Sequence, residues 1–417
     1  NIINKRFKLI MFITYNNSFM WKIHGKYYDL TPYLSKHPGG RIILEQSKGN
    51  NDLTAAFESY HAMSNMHKIK RIMKKFEVKD KEYISEVNFD EKGFYSTLTS
   101  DIKMYFLNKN ISHHANLFWL VKSTIQVLLW TTSFFMTCYL TNIYFYQRII
   151  LSAISGHMFI QVGFGIMHDA SHHAITRYSN VNETLASIWN SLALWDNSIW
   201  YKHHCYMHHS YTGTKLDPDT IHFKPFIQKS ELENNNNYFK YTHFRALFGL
   251  CVFPGMWIGQ SIAYIGAIIK QRLWRMSIIN YKICPFEVSL KFFMVFSLFY
   301  IRDFWIMFAY IISCNITYGI CILPDHDTFE THNNILYDTK NVDWGELQVR
   351  NSGNFSTQNF FINNCFGGIN HQITHHLFPT ISHVHYPEIS KIVKEKCKEF
   401  DIPYVEHKSM LYAIYSV

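Results

Sequence analysis

The chain changes character near residue 117, where long apolar blocks follow a mixed polar sequence. The blocks Leu117–Tyr146 and Ile149–Met167 are each long enough to cross the roughly 30 Å of hydrocarbon in a lipid bilayer. Because only the short connection Tyr144–Arg148 joins them, we expect the two blocks to form a membrane-spanning helical hairpin.

Two further apolar regions follow at Phe244–Ile269 and Val288–Leu323, and Arg302-Asp303 interrupts the second. Either Val288–Leu323 is a tight hairpin and 244–269 lies in the membrane interface, or 244–269 and 304–323 each span once. The pattern leaves both arrangements open, and each predicts about four transmembrane helices.

The stretch Leu185–Trp195 has apolar residues at helical spacing and is predicted to lie in the membrane interface. We therefore expect residues 117–417 to form an all-α integral membrane domain with a histidine-rich cap on the cytosolic side.

The N-terminal part has a different pattern. Residues 1–80 combine short strand-like pieces, the turn His24-Gly25-Lys26, and helical stretches after Gly40 and Asp52. This pattern predicts a small soluble α+β domain. Residues 81–116 are polar and mixed, and we interpret them as a linker with some helix.

The composition is typical of membrane segments attached to soluble parts. The 417 residues are 48% apolar and 17% aromatic, yet the mean hydropathy is only −0.11. A formal charge of +9 suits nucleic acid or an anionic membrane face. Because Lys and Arg gather at residues 66–82, at 391–408 and beside the apolar blocks, we interpret them as cytoplasmic-face charge and expect no nucleic-acid partner. The eight cysteines form no CxxC pair, which argues against a zinc ribbon or a disulfide framework.

A haem site is indicated by His37-Pro38-Gly39-Gly40 and by a second histidine, His61, further along the chain. Haem iron takes two axial ligands from opposite sides, and proline and glycine allow a stiff backbone to approach the porphyrin. The four-residue phrase alone is equally compatible with a simple turn. The flanking sequences, from Trp21 to Thr31 and from Asp52 to His61, favour the haem interpretation.

This stretch, roughly residues 10–80, resembles cytochrome b5. The resemblance makes His37 and His61 the axial ligands of a b-type haem. With both axial positions filled, the domain is expected to transfer electrons and not to bind oxygen.

Three histidine clusters, each next to an apolar block, carry the remaining chemistry. They are His168-Asp169-Ala170-Ser171-His172-His173, His203-His204-Cys205-Tyr206-Met207-His208-His209 and His371-Gln372-Ile373-Thr374-His375-His376. On a helix, positions i and i+4 share a face, so His168 and His172 can hold one metal ion. The same applies to His204 and His208, while His209 turns toward a neighbouring position. One cluster would be compatible with solvated surface histidines, but three favour a metal site.

The metal is expected to be iron, which imidazole suits. So many histidines are more than one tetrahedral zinc ion can use.

The clusters resemble those of the front-end fatty-acid desaturases, the branch with a fused cytochrome b5, and the resemblance covers almost the whole chain. The third cluster of this branch begins with glutamine, and Gln372 stands at that place. His326, in Pro324-Asp325-His326, fits a further family histidine after the last span. Other matching phrases are Trp200-x-x-x-His204, Tyr211-Thr212, Asp217-Pro218-Asp219, Asp343-Trp344, Gln348-Val349, Gly367-Gly368-Ile369-Asn370 and Leu377-Phe378-Pro379.

The resemblance implies a di-iron site. Its metal ligands would be His168, His172, His204, His208, His209, His326, His375 and His376. Its catalytic residues would be the same histidines without His326 but with Gln372. The alternative for Gln372 is that it only caps the helix that carries His375 and His376.

Three features depart from the family pattern. Gly213 follows Tyr-Thr where the family usually has asparagine, and two aspartates flank His326. Three additional histidines, His173, His203 and His371, lie outside the pattern, and we interpret them as supporting or incidental residues.

The implied activity is O2-dependent insertion of a cis double bond into a long-chain polyunsaturated acyl group, toward its carboxyl end. An unactivated C–H bond has no useful acidity, so a metal-based oxidant is required. Electrons would run from NADH through a separate cytochrome b5 reductase to the haem, and then to two non-haem irons. The phrases HDASHHAIT and FPTISHVHYPEI look most like delta-5 members, while delta-6 and delta-4 members share the clusters.

The implied location is the endoplasmic reticulum membrane, with several spans and with the termini and the histidine clusters on the cytosolic side. The acyl group would be carried by coenzyme A or by a phospholipid. The alternatives are a lipid hydroxylase with a fused cytochrome b5, a sphingolipid delta-8 desaturase, and a non-catalytic haem electron carrier. The glutamine of the third cluster argues against the hydroxylase, and the complete clusters argue against the carrier.

Overall fold

The computed structural model describes residues 20–222 and 283–417, except Asn50 and Tyr337, and short pieces between residues 265 and 277. The predicted interfacial or spanning segment Phe244–Ile269 lies almost wholly outside the described residues.

The N-terminal part is an antiparallel sheet covered by short helices. Its strands are β1 (Trp21–Ile23), β2 (Lys26–Tyr28) and β3 (Glu77–Glu82), in the order β1-β2-β3. The predicted turn is present, since His24 and Gly25 have φ of 49° and 75°, which a two-residue hairpin loop requires.

Three helices, α1 (Arg41–Ser47), α2 (Thr54–Tyr60) and α3 (Met66–Met73), complete this part. Their apolar faces close over Trp21, which is 1% exposed and donates from its indole nitrogen to Leu44 O. This small core is separate from the core of the rest of the chain and places the loops after β2 and α2 side by side.

The second part is helical and begins with α4 (Phe94–Lys109), which lies within the sequence predicted as a linker. The helical hairpin follows as α5 (Leu117–Tyr139) and α6 (Phe145–Val162). Helix α6 begins earlier than the apolar block suggested, because Tyr144 and Gln147 form a reciprocal capping box at its N-terminus.

After its α-helical part, α6 continues as a π-helix (Gly163–His168) and ends with Asp169–Ser171. Helix α7 (Ser179–Leu192) covers much of the sequence predicted as interfacial. Helix α8 has three parts: Asn197–Trp200, a π-helix (Tyr201–His208) and His209–Tyr211. A short helix, α9 (Asp219–His222), ends this described range.

The predicted interruption at Arg302-Asp303 separates α10 (Pro285–Tyr300) from α11 (Phe304–His326). Arg302 has a positive φ of 55°, and the Asp303 carboxylate accepts from the backbone N–H groups of Trp305 and Ile306. Helices α5, α6 and α11 pack into one bundle, and α10 packs against α7.

Two helices among the described residues are candidate membrane spans by length and apolar character. They are Phe145–Ser171, with a mean hydropathy of 1.7, and Phe304–Asn334, with a mean hydropathy of 1.9. Of the roughly four predicted membrane spans, two are therefore supported by the helices of the described residues.

The C-terminal region packs short elements over one end of the bundle. Its parallel strands β6 (Asn354–Phe355) and β7 (Glu406–His407) follow a small hairpin of β4 (Arg272–Leu273) and β5 (Met276–Ser277). Its helices are α12 (Phe329–Asn334), α13 (Trp344–Arg350), α14 (Phe360–Cys365), α15 (Gln372–Leu377), α16 (Tyr386–Glu399) and α17 (Met410–Tyr415).

Candidate haem and metal sites

The two predicted haem ligands face each other. His37 follows the 3₁₀ turn Thr31–Lys36, and His61 is the C-cap of α2. Their ring centroids are 6.1 Å apart. That separation accommodates one metal ion with a bond of about 2 Å to a nitrogen of each ring.

Backbone carbonyls fix which nitrogen of each ring is available. His37 Nδ1 donates to Gly40 O at 3.1 Å and His61 Nδ1 donates to Phe57 O at 2.8 Å. A carbonyl can only accept, so the neutral ring keeps its proton on Nδ1 and leaves the lone pair on Nε2. Burial lowers the pKa of His37 to about 4 and also lowers that of His61.

Gly39, two residues after His37, leaves room for the His37 ring. A Cβ on Gly39 would lie 2.8 Å from His37 Cε1. The residues present therefore fit a haem held by two histidines.

The π-helical part of α8 carries most of the second histidine cluster, whereas the π-helical part of α6 ends at His168, the first residue of the first cluster. A π-helix bonds i to i+5, so its turn is wider than that of an α-helix. This widening changes the expected pairing: the structure places His204 and His208 in different groups of converging rings, although an α-helix would put them on one face.

The first histidine group consists of His168, His172, His204 and His375, and one nitrogen of each lies within 4.8 Å of the others. The Nε2 atoms of His168 and His204 are 3.1 Å apart. Two nitrogens bound to one tetrahedral ion at about 2.0–2.1 Å lie roughly 3.3 Å apart, so this spacing is that of ligands on a common metal. Trp200 stacks on His204 at 4.5 Å and holds its ring plane.

The second histidine group consists of His208, His326 and His376. The Gln372 side-chain nitrogen lies 2.9 Å from His326 Nε2 and 3.1 Å from His376 Nε2. Gln372 thus lies inside the second group, and no side chain forms a capping hydrogen bond at the N-cap of α15.

His209 lies between the two groups. It forms a third group with His375 and His376, and its Nε2 is 3.3 Å from His204 Nε2. The groups therefore adjoin through His209 and His375, as a two-metal site requires.

Most of these rings are oriented by a partner on Nδ1. His326 Nδ1 donates to Asn351 O at 2.8 Å, and His376 Nδ1 donates to Gln348 Oε1 at 3.0 Å. The other contacts of this kind join His208 to Asp217 at 3.1 Å, His375 to Tyr386 at 3.2 Å and His172 to Tyr60 at 2.7 Å. The carbonyl and carboxylate oxygens can only accept, so they fix the tautomer and leave Nε2 for a metal, while the two tyrosine hydroxyls orient their rings.

Burial keeps these imidazoles neutral. It lowers the pKa of His204, His209 and His376 well below the usual 6.5, and neighbouring imidazoles lower it further. Neutral rings present lone pairs, which metal binding requires.

Among the described residues, three nitrogens of the histidine groups are buried without a hydrogen bond: His209 Nδ1, His172 Nε2 and His375 Nε2. A buried nitrogen without a partner is costly, and a metal ion in the first histidine group would satisfy the last two. The donor set therefore fits two ions held by imidazole.

The three additional histidines lie outside these groups. His203 Nε2 bonds to Asp219 at 2.6 Å, and His371 bonds to Ser390 at 2.8 Å. His173 adopts a positive φ of 58° and packs against Tyr201.

The residues that hydrogen-bond to Nδ1 of these histidines were not predicted as site residues from the sequence. Asp217, Gln348 and Tyr386 lay in phrases that carried the resemblance, which was the available signal. The carbonyl of Asn351 gave none, because any residue supplies a carbonyl. Gly213, noted as a departure, has φ +71° and donates from its N–H to Asp217 at 2.7 Å.

Tyrosines attach the N-terminal part to this site. Tyr206 Oη donates to a backbone carbonyl of α1 at 3.0 Å, and Tyr211 Oη donates to Asp52 O at 3.0 Å. From the opposite side, Tyr60 Oη lies 2.7 Å from His172 Nδ1. The haem ligands and the histidine groups are thus parts of one packed assembly.

A cavity adjoins the histidine groups. Its apolar lining comes from Phe164, Trp200, Tyr318, Ile322 and Ile369. Its polar lining includes residues of both groups, so the cavity brings apolar side chains next to the two histidine groups.

Comparison with known families matches residues 144–408 to the family described as "Fatty acid desaturase". Residues 14–83 match "Cytochrome b5-like Heme/Steroid binding domain". The first match alone covers more than half of the chain.

Individual relatives agree with both matches. An "Acyl-lipid (8-3)-desaturase" of Physcomitrium patens is 25% identical over 94% of this chain and 85% of that protein. A "Probable Delta(5) fatty acid desaturase C" of Dictyostelium discoideum is 26% identical over 94% of this chain and 88% of its own. An "sn-1 linoleoyl-lipid 6-desaturase" of Synechocystis is 25% identical over 79% of this chain and 95% of its own. The chain therefore belongs to the fatty acid desaturase family, is an oxidoreductase, and is a member of the front-end branch that carries a cytochrome b5-like domain.

Proposed function

We propose that the chain catalyses O2-dependent front-end desaturation of long-chain polyunsaturated acyl groups. The observation that carries this proposal is the pair of adjoining histidine groups beside a largely apolar cavity. His168 and His326 lie in the two candidate membrane spans, so the site is close to where an acyl chain enters from lipid.

The proposed metal ligands are the eight histidines of the three groups. Gln372 is proposed to act with them, through its amide, on a metal-bound water or on the substrate headgroup. His37 and His61 are the proposed axial ligands of the haem. These roles rest on the converging Nε2 atoms and on the family resemblance.

When bound by these histidines, two irons would supply the oxidising power needed to remove hydrogen from an unactivated methylene group. The protein contributes the rest. The Nδ1 partners hold most of the rings in place, the apolar side of the cavity would contact the acyl chain, and the burial of the groups limits access of water.

Electrons are proposed to come from NADH through cytochrome b5 reductase to the haem. The fused domain raises the local concentration of the electron donor. The contacts of Tyr206 and Tyr211 with that domain support this order, because they place the haem ligands next to the histidine groups.

Within the branch we propose delta-5 activity, with delta-6 and delta-4 activity as the alternatives. Relatives named as delta-5 and (8-3) desaturases support it. We further propose a haem domain at residues 1–80, a membrane domain at 117–417, and between them a linker at 81–116 that contains helix α4, which packs into the core of the second part. The proposed location is the endoplasmic reticulum, with the termini and the histidine groups facing the cytosol.

Product analysis tests the proposal. The full chain is expressed in a host without polyunsaturated fats, single C18 and C20 polyunsaturated acids are fed, and double-bond positions in the products are mapped. One new cis bond at the delta-5 position is expected. Hydroxylated products, or no new product from any fed acid, would overturn desaturation, while a bond at another front-end position would reassign only the position.

A further inference from the structure

Tyr60 connects the two redox sites of the chain. It is the last residue of α2 and directly precedes His61, which ends the helix as its C-cap. Its side chain points to the other part of the molecule, where Oη lies 2.7 Å from His172 Nδ1. One residue therefore adjoins a haem ligand through the backbone and a histidine of the first group through a hydrogen bond.

The partner ring has the geometry of a metal ligand. His172 Nε2 has no hydrogen-bond partner among the described residues and lies in the first histidine group. With Nε2 directed at a metal, a neutral imidazole keeps its proton on Nδ1. That proton is donated to Tyr60 Oη, so the hydroxyl acts as the acceptor that orients the ring.

The surroundings hold this contact in place. Tyr60 and Ala56 of α2 pack against Tyr201, Cys205 and Tyr206 of α8.

We propose that Tyr60 is a positioning residue that couples the haem to the first histidine group and carries the electron path between them. This proposal rests on the proposed function and deepens it. Tyr60 relays one electron at a time from ferrous haem, which is left ferric, to a ferric ion of the first group, which is left ferrous. Tyr60 keeps its proton and is unchanged at the end. Two such transfers, with electrons drawn from NADH and with the first electron passed on to the ferric ion of the second group before the second arrives, supply the two electrons that one desaturation consumes.

The chain offers a matched control. Tyr206 also uses its hydroxyl across the same interface, but that hydroxyl donates to a backbone carbonyl of α1 and not to a histidine. Tyr60→Phe and Tyr206→Phe each remove one hydroxyl from the same interface; the Tyr60 hydroxyl contacts His172 and Cys205, and only its loss touches the proposed electron path.

The experiment follows the haem in the full-length chain. The haem is reduced anaerobically with NADH and catalytic cytochrome b5 reductase, then mixed with O2 and an acyl substrate in a stopped-flow spectrometer. Tyr60→Phe is expected to slow haem reoxidation by about tenfold, a typical effect of removing the partner of a metal-bound histidine. Its haem spectrum and its non-haem iron per haem should match the parent chain, and Tyr206→Phe should reoxidise at the parent rate.

Three outcomes would overturn the proposal. One is an unchanged reoxidation rate in Tyr60→Phe. Another is equal slowing in Tyr206→Phe, which would indicate domain docking alone. The third is loss of the haem spectrum, or of iron that reconstitution does not restore, which would make Tyr60 a structural support. If Tyr60→Phe slows reoxidation while the parent chain forms no unsaturated product, the electron path stands and the proposed function fails.

Discussion

Individual histidine rings in this protein are oriented by hydrogen bonds on Nδ1, the nitrogen that faces away from the proposed metal positions. Backbone and side-chain acceptors on Nδ1 of His326 and His376 direct Nε2 inward. Gln372 differs, because its amide reaches the Nε2 side of those two rings directly. It therefore shares the space that a metal or a metal-bound water would use.

Replacing Gln372 by isoleucine should lower turnover by about 100-fold, because an apolar group then faces the second histidine group in place of a polar one. Gln372→His is expected to retain part of the iron. Product formation and non-haem iron per haem are measured in both variants.

Thr374→Ala provides the control for Gln372, since Thr374 lies on the same short helix and its hydroxyl bonds to Ser390 at 2.7 Å, away from the second histidine group. Near-parent activity in Gln372→Ile would show that Gln372 is structural.

At the residue scale, the sequence predicts which histidines are candidate ligands but not which of them share a histidine group. Three clusters near apolar blocks are visible in the order of residues. The assignment of His208 to the second group depends on the π-helical turn, which needs tertiary contacts to form. The acceptor at Asn351 is a carbonyl and has no sequence signature.

Among the elements, the two π-helical segments stand out because each contains proposed metal ligands: His168 ends the first, and the second contains His204 and His208. π-helical turns cost hydrogen-bond quality and occur mostly at functional sites. The turn that follows α8 is also specialised: Gly213 has φ +71°, and a Cβ there would lie 3.1 Å from Asn351 Nδ2.

Gly213→Val should destabilise the chain by about 1–2 kcal/mol more than Gly213→Asn, since asparagine adopts a left-handed conformation more readily than a β-branched residue. Asparagine is also the residue that the family usually has there. Thermal unfolding of both variants gives the comparison, and iron retention is measured in parallel. Equal stability of the two variants would contradict a backbone origin.

The apolar pattern predicts helix positions better than it predicts membrane spans. The break at Arg302-Asp303 was visible, because a charged pair inside an apolar run ends a buried helix. Helix α5 was predicted to span the membrane, and it carries exposed apolar side chains such as Leu117 and Phe135, at 75% and 61% exposure. The two helices long and apolar enough to be candidate spans among the described residues are others, Phe145–Ser171 and Phe304–Asn334. Which apolar side chains of a helix are exposed depends on the helices packed against it, so it cannot be predicted from the apolar pattern alone.

At the scale of the whole molecule, the haem domain is a docked part and not a loose tether. Tyr206 and Tyr211 bond to its backbone, and α2 packs against α8. The short strands and the two histidines of this domain could be predicted from the sequence, but its docking face could not, because contacts between distant segments have no local pattern.

Docking predicts that a free donor cannot replace the fused one. The full chain with His61→Ala should lose its reduced haem spectrum and nearly all turnover. Excess soluble cytochrome b5 with reductase should restore little activity, because the disabled domain still covers the face that a donor needs. Product formation is measured with and without the added protein, and full restoration would indicate a freely dissociating domain.

The topology gives a second prediction at this scale. Inserted glycosylation tags near residues 145, 215 and 400 should be modified only near 145, because the hairpin α5–α6 returns the chain to its starting side and basic stretches favour the cytosol. Gel shifts after glycosidase treatment report modification. A modified tag near 215 or 400 would place the histidine groups or the C-terminal region in the lumen.

The hydrogen bond between Tyr60 and His172 has a thermodynamic consequence. It helps to dock the N-terminal domain, and it also orients His172, a proposed metal ligand of the other domain. Free energies around a closed cycle sum to zero, so any gain in iron affinity caused by docking equals the gain in docking caused by iron. Iron loading and domain association are therefore linked functions of a single equilibrium, and neither is a fixed property of its own domain.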